Sequence, residues 1–408
     1  MSTQETTSGF VSIDDIDVRG KTVLMRVDFN VPFSPDGQIS DDRRIAAVVP
    51  TLSSVIKREG RLVLMSHLGR PDGTGYEASS TLKPVADHLS GLLGVPVGFP
   101  STDCVDDAAA QAVRELGNGE VLLLENTRFH ADEKSGGVEF AERLAAYGDI
   151  YCNDAFGASH RADASMAVVP KVMSPSPCVA GRLLMKEIRW LRDAIDTAEK
   201  PFVAVLGGAK VSDKLGAIHS LAGRVDTLIV GGAMAFTLLK SLGHSVGSSL
   251  VEEGMIEEAG KSIAHIEKTG TTLMLPSDFI CGEDMSSETD TSIQGRDIPD
   301  GLMGLDIGPK TTAEFTAAVR HARTVVWNGP MGLFEVSPFD VGTRQIAEAC
   351  AQATSEGAST IAGGGDTASA LAAFDMENAV SHVSTGGGAS IKMLEGAQMP
   401  ALDALDRH

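Results

Sequence analysis

Short, nearly continuous apolar runs recur along the chain, each ending abruptly in polar residues or glycine and each followed by a segment of helical spacing. In the first half TVLMRV leads into Asp28, Phe29 and Asn30, and RLVLM into Ser66, His67, Leu68, Gly69 and Arg70. VLLL leads into Glu125, Asn126, Thr127 and Arg128, and IYC into Asn153, Asp154 and on to Arg161. Runs that are apolar on both faces and alternate with helices predict parallel sheets covered on both sides. All strands of such a sheet end along one edge, where open α/β sheets bind ligands. Asp28, Asn30, His67, Arg70, Arg128 and Arg161 are therefore expected to meet there. Arg44 joins them, because it opens the helical segment RRIAAVVPTLSSVIKREG.

In the second half the runs end in glycine. FVAVL reaches Gly207 and Gly208, DTLIV reaches Gly231 and Gly232, and TVVW reaches Asn328 and Gly329. STIA reaches Gly363, Gly364 and Gly365, and VSHVST reaches Gly386, Gly387 and Gly388. Lacking Cβ, glycine lets backbone N–H groups approach an anion, and a following helix N-terminus adds free donors and partial positive charge. In VLGGAKVSDKLGAI the pattern predicts a helix with Lys210 and Lys214 on one face. Taken alone, that stretch reads equally as a phosphate turn or as a plain strand, glycine turn and solvated helix; it is not G-x-x-x-x-G-K-[ST].

Between the halves, AGRLLMKEIRWLRDAIDTAEK places Leu183, Leu184, Ile188, Leu191 and Ile195 at helical spacing, after the Pro-rich MSPSPC and before Pro201. This predicts a helix over 180–200 joining two domains, 1–179 and 201–396, with the tail 397–408 packed back on the first. The polar segment 281–301, CGEDMSSETDTSIQGRDIPDG, is expected to be a solvated loop without chemistry.

A chain of 408 residues accommodates two domains of about 200 each. Lys+Arg 34 against Asp+Glu 55 gives a formal charge of −21, which excludes a nucleic-acid or anionic-membrane surface. The basic residues are 14 Lys and 20 Arg, and the acidic ones 31 Asp and 24 Glu. Such Asp-rich, Lys-poor acidity points to a protein working in high salt, with an ordinary acidic cytosolic protein as the alternative. One surface arginine is commonly paired with an acid. Several converging on one edge of so acidic a chain point instead to a small, highly anionic ligand, which the planar guanidinium binds bidentately. The five cysteines are odd in number and form no C-x-x-C pair, pointing to reduced thiols rather than a disulfide framework or a zinc site. MSTQETTSGF has no apolar h-region and no run of 18 apolar residues occurs, so a cytoplasmic location is expected.

Asp366 follows the triple glycine and starts the helical run DTASALAAF. A carboxylate there is either a helix cap or, beside a phosphate site, a ligand for Mg2+, which one or two carboxylates, waters and phosphates typically hold. GGGDTA also fits G-x-G-x-x-A, so an NAD-dependent oxidoreductase is an alternative. The motif stands near the chain's end, however, and no acid about 20 residues on ends a partner strand.

RVDFNVP, SHLGRP, LLLENTRFH, DAFGASHR, LGGAKVSDK, GGAMAFTLL, MGLDIGPKT, WNGPMGLFE, GGGDTA and STGGGAS occur in the order found in phosphoglycerate kinases, and the chain resembles that family from about Gly20 to Gly396. The resemblance implies two doubly wound, Rossmann-like parallel-sheet α/β domains with a cleft between them, in a monomer. It implies reversible transfer of the acyl phosphate of 1,3-bisphosphoglycerate to ADP, giving 3-phosphoglycerate and ATP, in glycolysis and gluconeogenesis. Asp28, Phe29, Asn30, Arg44, His67, Leu68, Gly69, Arg70, Arg128 and Arg161 would hold the phosphoglycerate. Lys210, Lys214, Gly304, Asn328, Glu335, Gly364, Gly365, Asp366 and Thr367 would hold ADP or ATP, with Glu335 at the ribose hydroxyls and Asp366 at Mg2+. Arg44, Lys210, Gly365 and Gly388 would surround the migrating phosphoryl group. Arg43 adjoins Arg44, so the choice between them stays open. Asp163 stands where many members carry a second histidine, and no histidine role is assigned there. A non-catalytic nucleotide-binding protein that has kept the fold is the other alternative.

Overall fold

The computed structural model describes residues 9–408. They form two units, one running through Arg189 and including Gln398–His408, the other Trp190–Ala397.

In the first unit six parallel strands, β1 (Thr22–Val27), β2 (Arg61–Met65), β3 (Val97–Gly98), β4 (Val121–Leu123), β5 (Ile150–Asp154) and β6 (Cys178–Ala180), lie in the order β3-β4-β2-β1-β5-β6. Val23 of β1 pairs with Leu62 on one side and Ile150 on the other. Every residue of β1 is buried, as its unbroken apolar run requires in a sheet covered on both faces. Val23, Met25 and Val27 belong to the core that also holds Ile45, Val48, Leu52 and Val55 of the helix Arg43–Lys57. The chain winds one way from β1 through β2 and the other way at β5. The order therefore reverses beside β1, the place where an open parallel sheet leaves a crevice. The tail joins this unit: Val11 N donates to Asp406 O at 3.1 Å, and Asp406 N to Cys178 O at 2.8 Å.

The second unit repeats the plan with β7 (Phe202–Leu206), β8 (Thr227–Val230), β9 (Thr272–Met274), β13 (Thr324–Asn328), β14 (Ser359–Gly363) and β15 (His382–Val383), in the order β15-β14-β13-β7-β8-β9. Val205 pairs with Trp327 and with Ile229, so the reversal falls between β7 and β13.

Three expectations need correction. Segment 281–301 is not a plain loop. Within 278–307, β10 (Asp278–Gly282), β11 (Ser292–Gly295) and β12 (Met303–Ile307) form an antiparallel sheet in the order β11-β10-β12. Its outer strand SIQG has one large apolar residue, Ile293, and that is 60% exposed, so the pairing rests on the backbone ladder and leaves little hydrophobic signal. The helix expected over 180–200 starts later, because Ala180 ends β6 by pairing with Asn153. It runs Arg182–Ile188, continues as a wide π turn, Arg189–Asp193, and ends in Ala194–Asp196, so the division between units falls inside it. Its start is held by Asp154, whose Oδ1 accepts from Leu184 N at 2.9 Å. Lys210 and Lys214 do not share a helix face, since that helix is Leu215–Leu221 and Lys214 is its N-cap. Ser212 holds the preceding residues as a turn, its N and Oγ donating to Glu252 at 2.9 and 2.7 Å.

Candidate active site

In the first unit Asp28, Asn30, Arg44, His67, Gly69, Arg128 and Arg161 do converge, past β1, β2, β4 and β5, whereas among the described residues no contact ties Arg70 to them. Arg44 Nη1 donates to Asp28 Oδ2 at 3.0 Å and to Asn30 O at 3.2 Å. Asn30 Oδ1 accepts from Gly69 N at 2.8 Å, and Gly69 O accepts from Arg128 Nη1 at 2.8 Å. Gly69 takes φ +65°, the left-handed conformation that glycine permits without strain. Arg161 Nη1 lies 3.3 Å from His67 Nε2, and Arg128 Nη2 3.8 Å from Asp163 Oδ2. Arg70 is exposed. Phe29 and Leu68 pack into the hydrophobic core, so at these positions the backbone, not the side chain, is available to a ligand.

Burial and then the charges of Arg26, Arg128, Arg161 and Arg44 hold His67 well below the ordinary imidazole range. The ring is therefore neutral at neutral pH and carries one N–H. Burial, followed by the charge of Arg161, also lowers Arg128, so the cluster is cationic beyond what Asp28 and Asp163 offset. An anion would relieve this repulsion, and a bidentate guanidinium contact suits carboxylate and phosphate alike.

Two adjoining cavities open in the second unit. One, of about 330 Å³, is lined by the glycine turns Gly207, Gly208, Gly329, Gly364, Gly365, Gly387 and Gly388, with Lys210, Lys214, Asn328, Asp366 and Thr367. The backbones meet closely here: a Cβ on Gly207 would stand 2.1 Å from Pro330 O, and one on Gly329 2.2 Å from Gly207 O. Lys214 Nζ donates to Asn328 Oδ1, and burial lowers its pKa to about 8 against the opposing pull of Asp366, Asp213 and Glu395. Buried Asn328 Nδ2, on a residue that lines this cavity, has no partner, a donor left unsatisfied. The second cavity, about 360 Å³, shares Gly208, Ala209 and Asp366 but is walled by Phe236, Phe279, Met285, Met303, Leu305 and Met331, with Gly304 and Glu335 at its side. Phe279 and Met303 come from the antiparallel sheet. An apolar cavity beside a polar, glycine-lined one with two lysines suits the two ends of a nucleoside phosphate.

The phosphoglycerate kinase family model matches residues 13–397. The chain belongs to the phosphoglycerate kinase family. A phosphoglycerate kinase of Rhodopirellula baltica is 50% identical over 398 residues, covering 97% of this chain and 98% of its own length. One of Chlorobium chlorochromatii is 46% identical over 396 residues, covering 97% and 99%. Among solved structures, the phosphoglycerate kinase of Coxiella burnetii superposes with a TM-score of 0.85 at 37% identity, over 97% of this chain and 98% of that one. That of Pyrococcus horikoshii OT3 gives 0.83 at 28%, with the same coverage.

Family membership leaves the dinucleotide reading without support, and GGGDTA follows β14, one strand from the sheet edge rather than at its centre. Geometry also separates Arg43 from Arg44: Arg43 is turned onto Asp41, Nη2 to Oδ2 at 2.5 Å, whereas Arg44 is turned onto Asp28 in the Arg–His cluster. Two side chains behind that cluster escaped the sequence reading. Arg26, inside the apolar run of β1, has no exposed surface; its Nε donates to Ser165 Oγ at 2.8 Å and its Nη2 lies 3.1 Å from His67 Nδ1. Glu133, also fully buried, accepts from Ser165 N at 2.9 Å and Ser165 Oγ at 2.5 Å. The signal for Arg26 was a charged residue where both faces of a strand are covered. Mg2+ fits Asp366, an exposed carboxylate in the first turn of the helix Gly365–Ala373 and on the wall of both cavities, since this ion keeps waters and takes few protein ligands.

Proposed function

We propose that the chain transfers the acyl phosphate of 1,3-bisphosphoglycerate to ADP, reversibly, giving 3-phosphoglycerate and ATP. The observation that carries this is the pairing of a buried Arg–His cluster on one sheet edge with a lysine-bearing, glycine-lined cavity and its apolar neighbour on another. Arg44, Arg70, Arg128, Arg161 and neutral His67 bind the phosphoglycerate, with Asp28 and Asn30 orienting Arg44 and Gly69. Lys210, Lys214, Asn328 and the turn from Gly364 to Thr367 bind the phosphates of ADP or ATP. The slot around Phe236 and Phe279, with Gly304, takes the base, and Glu335 the ribose hydroxyls.

A β-phosphate oxygen of ADP attacks the acyl phosphorus, the new P–O bond forms in line with the one that breaks, and the carboxylate of 3-phosphoglycerate leaves. Nucleophile and leaving group are both ionised near neutral pH, so no general base is required. The chain's part is positioning and positive charge: Arg44, Lys210 and the N–H groups at Gly365 and Gly388 surround the migrating group. Mg2+ at Asp366 would neutralise phosphate charge when bound. With one substrate on each unit, the two units close during turnover and exclude water. The enzyme works as a cytoplasmic monomer, and its charge suits it to high salt.

The test is a coupled assay of ATP formation from 1,3-bisphosphoglycerate and ADP. ATP formation that depends on both substrates supports the reading. Nucleotide binding without turnover would assign the chain to the non-catalytic alternative.

A further inference from the structure

Far from the glycine turns, the loop between β3 and the helix Asp107–Glu115 brings Asp103 and Cys104 against His130. One ligand atom from each, a carboxylate oxygen, the thiol sulfur and a ring nitrogen, lies within 4.8 Å of the other two. His130 Nε2 is 3.1 Å from Asp103 Oδ1. We propose that Asp103, Cys104 and His130 form a binding site for a borderline-soft divalent metal ion, zinc above all.

The ligand set selects the class of ion. Thiolate, imidazole and one carboxylate are the donors zinc takes, at about 2.0 to 2.3 Å, which sets tetrahedral ligand atoms about 3 to 4 Å apart. The observed spacing needs only small side-chain shifts to reach this. Magnesium and calcium are disfavoured, because a thiol and a single carboxylate do not replace their oxygen shells.

The site is held in place by the fold. Asp103 Oδ1 accepts from Val105 N at 2.8 Å, and the His130 ring stacks on Phe140 at 4.8 Å between centroids. Cys104 has no exposed surface, whereas Asp103 and His130 are partly exposed, so an ion reaches the group from solvent and a water can complete four-coordination. Burial, then the charges of Asp103 and Glu133, keep the Cys104 thiol protonated. A bound dication would take the thiolate, its proton leaving for solvent. C-x-x-C spacing gives no sign of such a site, because its third ligand comes from 26 residues further on (130 − 104). Among the described residues no other cysteine meets a histidine and a carboxylate in this way.

The test is titration of the full chain with Co2+, zinc's spectroscopic stand-in, in the absence of nucleotide. We expect one equivalent of a thiolate-to-cobalt charge-transfer band that Zn2+ displaces, that is lost in Cys104→Ser and that persists in Cys350→Ser. Asp103→Asn and His130→Gln, at partly exposed positions, should each weaken binding by about tenfold or more, and they carry the test if Cys104→Ser does not fold. Absence of a thiolate band in the wild-type chain, a band that survives Cys104→Ser, or unchanged affinity in both exposed variants would overturn the proposal.

Discussion

The Arg26 guanidinium lies 3.1 Å from Nδ1 of His67, with neither side chain reaching solvent. Arg161 faces the other ring nitrogen at 3.3 Å, and Asp28 Oδ1 lies 3.9 Å from Nδ1. A guanidinium only donates, so a neutral ring, with one N–H and one acceptor nitrogen, accepts from only one of the two arginines, and the shorter contact makes Nδ1 the acceptor from Arg26. Arg26 also faces buried Glu133 at 4.0 Å. Arg26→Met would leave that carboxylate without its cation, and urea unfolding should show a loss of about 3–5 kcal/mol. The double variant Arg26→Met/Glu133→Gln should recover part of it. A double-variant loss equal to the sum of the Arg26→Met and Glu133→Gln losses would mean that the pair is not coupled.

Arg44 reaches Asp28 and Asn30, while Arg43 is turned onto Asp41. Arg44→Ala should raise KM for 3-phosphoglycerate by about tenfold or more, the scale of one charge-assisted hydrogen bond, and leave KM for ATP unchanged. Arg43→Ala should alter neither by more than about twofold. The reverse ranking in steady-state kinetics would make Arg43 the substrate arginine.

Lys210 is exposed on the wall of the glycine-lined cavity. If it meets charge that develops only during transfer, Lys210→Ala lowers kcat by about 10² to 10³. An unchanged kcat with a higher KM for ATP would restrict it to ground-state binding.

Lys214 has a pKa of about 8 against an ordinary 10.5, with burial as the first cause. Between those values the unfolded chain holds more protons than the folded one, so this group makes the fold more stable as pH rises from 8 to 10.5. A bound phosphate would restore the charge. Calorimetry of ADP binding near pH 8.5, in buffers of different ionisation enthalpy, should show uptake of a substantial fraction of one proton. Lys214→Met should abolish it, and uptake that persists in that variant would assign the proton elsewhere.

The net charge of −21 repels itself in dilute buffer. Molar KCl should raise both activity and melting temperature relative to a low-salt buffer. Curves that coincide in the two buffers would leave the acidity without a role in salt tolerance.

TVLMRV, RLVLM and FVAVL are strands over the very residues their apolar runs mark, because a parallel strand covered on both faces has no polar face to blur the pattern. Ordered glycines and arginines at the ends of such runs marked the polar and glycine-lined sheet edges, and ten ordered stretches carried the family. The sheet of β10, β11 and β12 was not legible, since strands such as SIQG are held by backbone pairing and show no apolar alternation. Nor could the sequence tell Arg43 from Arg44, or reveal that Lys214 sits desolvated against Asn328. Those facts depend on what stands opposite in space. Arg26 meets Ser165 across 139 positions of chain, and Lys214 meets Asn328 across 114. Local pattern determined the elements and which residues stand at the strand ends; burial and partners from distant segments, which set each group's charge and orientation, were decided only by the tertiary structure.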